Sequence, residues 1–275
     1  MISDETELLT VRAQLGSTGD RVRRIQELLN AWAATERKRI GKQGAAALVC
    51  DGVFGALTLS AVKQFQQAKW LLADGVVGPF TYSMLASIPF AVQVRHDARP
   101  VKQSDVRLCW AASTEYWLRS QHQGLMNQEE IIEEVRVRAH VKGIDPDRAV
   151  LANGSLTFLG QPVWEERFRL TPRAVLASHY YAETAAIALR RSGRPIMVGT
   201  VVFNGQTNRM GVGHVRVLIG AQTYDFKLRD EVEADFAAAL TFMDPMGTLD
   251  FNSKKMRHLK APSPSGGDPY IVVWE

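Results

Sequence analysis

Cysteine is scarce: Cys50 and Cys109 are the two in 275 residues. A disulfide framework is therefore excluded as the device that holds the chain together. Long apolar runs are absent too, and none approaches the ~20 residues that cross a bilayer, so no membrane span is expected. The first residues, Met-Ile-Ser-Asp-Glu-Thr-Glu, are acidic and have no apolar core, unlike a secretory signal. The expectation is a protein that stays in the cytoplasm or leaves by a route needing no such signal. Charge of one sign is not in excess. Up to residue 88 ten Lys/Arg face eight Asp/Glu, and beyond it 23 face 21, so each part is +2 and the whole +4. Nucleic-acid binding, which uses a basic face, is not expected. His122, His140, His179 and His258 are scattered without HxxxH spacing, and no CxxC accompanies them. No metal is expected, and without a phosphate-binding Gly loop no cofactor is expected either.

What remains is an ordinary globular composition, 46% hydrophobic and 23% charged, with length for two domains. Near the N-terminus, Val22, Ile25, Leu28, Leu29 and Trp32 recur at helical spacing after Asp20, which predicts a helix over 20–32. Residues 33–48, basic and Gly-containing, read as an exposed loop. A second helix is expected from about Thr58 to Lys69, and a short third one from Pro79, a good first helical position. Cys50 reads as a small apolar residue ahead of a turn.

One segment repeats. Asp51-Gly-Val-Phe-Gly-Ala-Leu-Thr58 returns as Asp74-Gly-Val-Val-Gly-Pro-Phe-Thr81. Each copy offers an Asp-Gly turn, an apolar pair, a second Gly and a Thr near a helix start. Two copies are too few for a solenoid and suit two loop-to-helix corners of one small domain. With Leu15-Gly-Ser-Thr-Gly19-Asp20 ahead of them, and Ala61-Val62 and Phe65-Gln66 in the following helix, these elements resemble the peptidoglycan-binding domain of bacterial cell-wall hydrolases over residues 10–87. That resemblance implies a peptidoglycan partner. Most of the Asp, Gly and Thr residues read as determinants of the fold, and which residues touch the polymer is unknown.

Residues 89–102 carry prolines and no helical period, as a linker and extended lead-in. The segment Gln103-Ser-Asp-Val-Arg-Leu-Cys109-Trp110-Ala111 then turns from loop to helix at the cysteine. A thiol there meets unpaired N–H groups and the positive end of the helix dipole, which favours thiolate. The Gln103 amide can serve as a donor beside it. Trp110 to Ser120 continues as a helix, and Asn127-Gln-Glu-Glu130 forms a capping box before the next. Residues 141–170 read as loop-rich, and Thr184–Arg191 as a helix. Strands follow at 196–203, 214–220, 240–243 and 270–274. Helices first and antiparallel strands afterwards make an α+β domain. His214 is expected to open its strand just after Gly213, which leaves room for substrate. Asp244 ends a later strand before Pro245.

A Cys at a helix start, a Gln six residues earlier, a Gly-His at a strand and an Asp at the end of another resemble the papain-like cysteine peptidases, in the bacterial branch with Cys-Trp-Ala-Ala and Asp as third residue. The resemblance runs over about residues 95–275. It implies Cys109 as nucleophile, His214 as base and acid, Asp244 as its orienter, Gln103 in the oxyanion hole, and Trp110 and Gly213 against the substrate. Segments 141–170 and 204–212 would wall the cleft. The NlpC-type peptidases are a poorer fit, because Leu108 precedes Cys109 and 105 residues separate Cys109 from His214. The expected layout is a three-helix peptidoglycan-binding-like domain over 1–88, a lead-in over 89–102 and an α+β papain-like domain over 103–275. The expected function is a cysteine peptidase acting on proteins, targeted to or through the bacterial wall, possible as a secreted effector. The alternatives are an amidase or endopeptidase on peptidoglycan stem peptides, and a wall-binding adaptor without catalysis.

Overall fold

A computed structural model describes residues 10–40, 47–94, 97–176, 180–204, 209–226, 235–246, 251–255 and 270–274. It divides into two compact units. The first takes the chain up to Ala91 with Tyr181–Glu183 and Ala221–Ala239, and the second takes Val92–Tyr180, Thr184–Gly220 and the chain from Leu240.

The first unit is built on α1 (Asp20–Ile40), α2 (Ala56–Ala68) and α3 (Pro79–Ala86). Val22, Ile25 and Leu29 of α1 are buried, as are Val62 and Phe65 of α2. The Trp32 ring meets Phe65 edge-on at 5.1 Å. Helix α1 does not stop at residue 32. It runs to Ile40 through Ala33-Ala34-Thr-Glu-Arg-Lys-Arg, a stretch of mostly strong helix formers with no Gly before residue 41. The expected loop thus starts later, and residues 41–46 lie outside the described residues.

The two repeats are pinned in the same way, each by a buried glutamine. Gln26 Nε2 donates to Asp51 Oδ1 at 2.8 Å, to Val53 O at 3.1 Å and to Thr58 Oγ1 at 3.2 Å, while its Oε1 accepts from Gly52 N–H. Gln66 does the same with Asp74 Oδ1, Val76 O, Thr81 Oγ1 and Gly75 N–H. Hydrogen bonds from Gln26 and from Val53 N–H hold the Asp51 carboxyl below its ordinary pKa. The Asp and Thr residues of the repeat are thus partners of a buried amide, as expected of fold determinants. Also in this unit, the Thr223 hydroxyl meets Ser83 Oγ and accepts from Phe90 N–H.

In the second unit α4 (Cys109–Ser120), α5 (Gln128–Val141), α6 (Pro146–Ala149) and α7 (Gly160–Arg167) pack on one another. The capping box on Asn127 and Glu130 forms as read. The loop expected over 141–170 is interrupted by α6 and α7. Gly160 and Pro162 sit in the first turn of α7, where Pro is tolerated. Gly160 is there for space, since a Cβ would fall 2.2 Å from the Ala149 carbonyl oxygen. Helix α8 (Ala182–Ser192) follows β2 (Pro172–Leu176).

The sheet adds β1 (Phe90–Gln93), β3 (Ile196–Asn204), β4 (Arg209–Phe226), β5 (Asp235–Met243), β6 (Phe251–Lys255) and β7 (Tyr270–Trp274). Its order is β2-β7-β3-β4-β5-β6, with β1 beside β4. The β2–β7, β3–β7 and β3–β4 pairs are antiparallel. Val215, Val217 and Ile219 join Trp110, Tyr116, Trp117, Trp164 and Trp274 in one apolar core. The Trp164 ring stands edge-on to both Trp110 and Trp274. Its indole N–H reaches Thr114 Oγ1 at 2.9 Å, which satisfies the polar end of a fully buried tryptophan.

Candidate active site

Leu108 N–H bonds the Asp105 carbonyl at 3.0 Å, closing a turn that delivers the chain into α4. Cys109 is the first residue of that helix and is 7% exposed. Its Sγ accepts a hydrogen bond from Val215 N–H at 3.5 Å. One turn on, Ser113 Oγ donates to the Val215 carbonyl at 3.0 Å. The same strand residue therefore holds both the helix and the sulfur.

His214 does not open a strand. It lies within the 18-residue β4. The β3–β4 register pairs Thr200 with His214 and Val201 with Val212, leaving Gly213 unpaired. That is a β-bulge, which bends a strand and re-aims the next side chain. His214 Nε2 is 2.8 Å from Asp244 Oδ1. The other ring nitrogen, Nδ1, is buried and makes no hydrogen bond. It stands close enough to Cys109 for the sulfur to influence the charge of the ring, without a formed hydrogen bond between them. Catalytic hydrogen bonds often tighten only on binding substrate. Burial is the largest influence on His214 and disfavours its charged form. The hydrogen bond to Asp244 and the nearness of the Cys109 sulfur, together with the negative charge of both groups, outweigh it and raise the pKa above the ordinary 6.5.

Asp244 follows the last residue of β5 and is 8% exposed. Its Oδ1 also accepts from Met246 N–H at 3.2 Å, and its Oδ2 lies 3.0 Å from Arg216 Nε as an ion pair. Gln103 sits beside this corner. Its backbone N–H bonds the Pro245 carbonyl at 3.1 Å, and its side-chain Oε1 is buried without a partner. The Gln128 side chain brackets it, with Nε2 donating to Lys102 O at 3.1 Å and Oε1 accepting from Ser104 N–H at 3.0 Å.

A cavity of about 200 Å³ opens at the sulfur, lined by Cys109, Trp110, Gly213 and Val215 on one side and by Ser155–Phe158, Gln161 and Trp164 on the other. Val106 and Arg107 stand at its edge. Trp110 and Gly213 thus both border it, while Gln103 is not among its lining residues. Trp110 is 3% exposed and gives its indole N–H to the Gly154 carbonyl at 3.0 Å. Of the expected cleft walls, residues 155–158 line the cavity. In the segment 204–212, residues 205–208 lie outside the described residues, as do His179 and His258. His122 and His140 are not among the residues that line the cavity.

Two residues here escaped the sequence reading. Arg216 follows His214 by two positions along β4, so strand periodicity alone puts both on one face. Gln128 looked like a member of a capping box and nothing more. A chemical reading of the arrangement is direct. A thiol at a helix start, an imidazole held by a carboxylate, and a small cavity at the sulfur are the parts of acyl transfer to cysteine.

A family model described as a peptidoglycan binding domain matches residues 18–85, and one described as papain-like cysteine protease AvrRpt2 matches residues 87–250, more than half of the chain. Among curated proteins the chain is similar to the zinc D-Ala-D-Ala carboxypeptidase of Streptomyces albus G, 37% identical over 70 residues, 26% of this chain and 24% of the relative. It thus spans about a quarter of that relative's length. Among solved structures it is similar to UfSP from C. elegans, with TM-score 0.37 and 13% identity over 67% of this chain and 33% of that one. It is also similar to a peptidase described as C39-like from Bacillus anthracis, with TM-score 0.37 and 12% identity over 66% of this chain and 96% of that one. With an N-terminal peptidoglycan-binding domain ahead of its catalytic region, the chain belongs to the papain-like cysteine protease AvrRpt2 family.

Proposed function

We propose that this peptidase hydrolyses peptide bonds in proteins through a thioester on Cys109. The observation that carries the reading is the His214–Asp244 bond of 2.8 Å with the Cys109 sulfur at the head of α4. Cys109 thiolate attacks the scissile carbonyl, and the tetrahedral oxyanion is received by the Gln103 amide and the Cys109 N–H. His214, as imidazolium, gives its proton to the leaving amine. Water then attacks the thioester, His214 takes its proton, and the acid departs as the thiolate is restored. Asp244 keeps the ring oriented through Nε2 throughout. Trp110 and Gly213 border the bound chain. Residues 1–88 hold the enzyme at, or carry it through, the bacterial wall, residues 89–102 lead in, and 103–275 do the chemistry, in the manner of a secreted effector.

A second reading keeps the site and changes the substrate to peptidoglycan stem peptides. The match of residues 18–85 to a peptidoglycan-binding domain favours it, as does the likeness to a relative named for a D-Ala-D-Ala bond. One experiment separates the two. Native protein and Cys109→Ala are incubated with purified sacculi and with a protein lysate, and the products are read by mass spectrometry. Cys109-dependent new N-termini in proteins are the expected result. Cys109-dependent muropeptides establish the second reading instead, and no Cys109-dependent product in either mixture overturns both.

A further inference from the structure

We infer that Arg216 is a positioning residue for the reaction, acting through Asp244. The inference rests on the site reading above. Asp244 is almost fully enclosed, and an enclosed carboxylate is costly unless it is paired. His214 supplies a formal partner only while protonated. In each turnover the ring gives its proton to the leaving amine and is then neutral, so the carboxylate needs a second, permanent counter-charge. Arg216 is permanently charged. Its Nε stands 3.0 Å from Oδ2 as a charge contact without hydrogen-bond geometry, while His214 is bonded to Oδ1, so the two cations divide the carboxylate between them. Arg216 is itself held, with its guanidinium 5.8 Å from the Phe242 ring centroid and its side chain 18% exposed. Val198 faces it across β3. Among the described residues, the enclosed charged and titratable groups in contact here include Asp244, His214, Cys109 and Arg216, while the exposed Arg107 lines the cavity beside the sulfur. Thiolate, carboxylate, imidazolium and guanidinium together sum to zero, so the ion-pair state of Cys109 and His214 forms without net charge in the enclosed corner. Arg216 thereby lets an Asp occupy a place where a neutral amide would need no counter-charge.

The test needs no known substrate. Cys109 alkylation by iodoacetamide is followed by intact mass against pH, in a Cys50→Ser background so that one thiol reports. Arg216→Gln is expected to slow alkylation near pH 6 by about tenfold, with the profile moved about one unit to higher pH, because loss of a positive charge disfavours the thiolate. Arg216→Lys keeps the charge and is expected to stay within about threefold of the native rate. Asp244→Asn supplies the readout that a packing role would not move. With no carboxylate to compensate, adding Arg216→Gln to Asp244→Asn is expected to slow the reaction clearly less than Arg216→Gln does in the native background, because the part of its effect that runs through Asp244 is gone. Circular dichroism on each variant separates unfolding from chemistry. If Arg216→Gln folds and alkylates as the native protein does, or if it slows the reaction equally with Asn at 244, the inference is overturned and the site reading stands. Product formation by Cys109→Ala at the native rate overturns the site reading, and this inference with it.

Discussion

Trp110, the residue after the candidate nucleophile, is tied to Gly154 by an indole hydrogen bond of 3.0 Å to the glycine carbonyl. Gly154 has φ of +81°, in the left-handed region that glycine tolerates and other residues enter at a cost. A Cβ there would lie 2.3 Å from Leu108 Cδ2, and Leu108 is the residue before Cys109. The cavity wall at 155–158 and the entry to α4 are therefore set by the same glycine. Gly154→Ala is expected to lower stability by about 1–2 kcal/mol, read as a shift in urea midpoint. It is also expected to slow Cys109 alkylation in the folded protein, because Leu108 must turn away. An unchanged alkylation rate in a destabilised variant would separate the backbone strain from the site.

How much of this could be read without coordinates depends on range. The capping box at Asn127–Glu130, the apolar run of β3 and the helix after Cys109 are local patterns, and they form where periodicity and capping put them. Helix α1 runs past its expected end because Ala33 to Arg39 are mostly strong helix formers, a preference that the basic charge of the stretch does not reveal. The bulge at Gly213 depends on which residue of β3 faces which of β4, and pairing register is not written in either strand alone. Arg216 was visible as an alternation with His214, but its meaning needed Asp244, 28 positions away in sequence, at 3.0 Å. Gln26 and Gln66 share a local pattern, Val22-x-x-Ile25-Gln26 and Val62-x-x-Phe65-Gln66, but they stand at different distances from their repeats, so which turn each one pins is set in space.

Gln66 offers a test of that equivalence. Its amide is buried and makes four bonds to the second repeat. Gln66→Leu removes the partner of Gly75 N–H and of the Thr81 hydroxyl and is expected to cost about 2–3 kcal/mol. Cys109 alkylation by iodoacetamide should stay at the native rate below the melting transition. A variant that kept native stability would show that the glutamine bonds are replaceable by water.

His214 gives a pH dependence of known sign. Its folded pKa lies above 6.5 because the Asp244 and Cys109 interactions outweigh burial. The contribution of the charged ring to stability is therefore present in full below pH 6.5 and is lost as pH rises through the folded value. The difference in urea midpoint between native protein and His214→Gln is expected to be largest near about pH 5.5 and to shrink toward about pH 8.5. A difference that grows with pH would mean that the neutral ring is the form the fold prefers.

Gln128 is expected to matter for rate without touching substrate. It holds the backbone on both sides of Gln103 through Lys102 O and Ser104 N–H, and its amide also donates to the buried Glu115 of α4 at 3.2 Å. If Gln103 receives the oxyanion, its position before the reaction decides how much it stabilises, since such donors act by being fixed in advance. Gln103→Ala is expected to lower kcat by about 100-fold. Gln128→Ala leaves the donor present but its loop released, so a loss of about tenfold in kcat with little change in KM is expected. Alkylation of Cys109 in Gln128→Ala should match the native protein, because no oxyanion forms in that reaction. Equal losses in alkylation and turnover would place the effect on the thiol, and a change confined to KM would place it on binding.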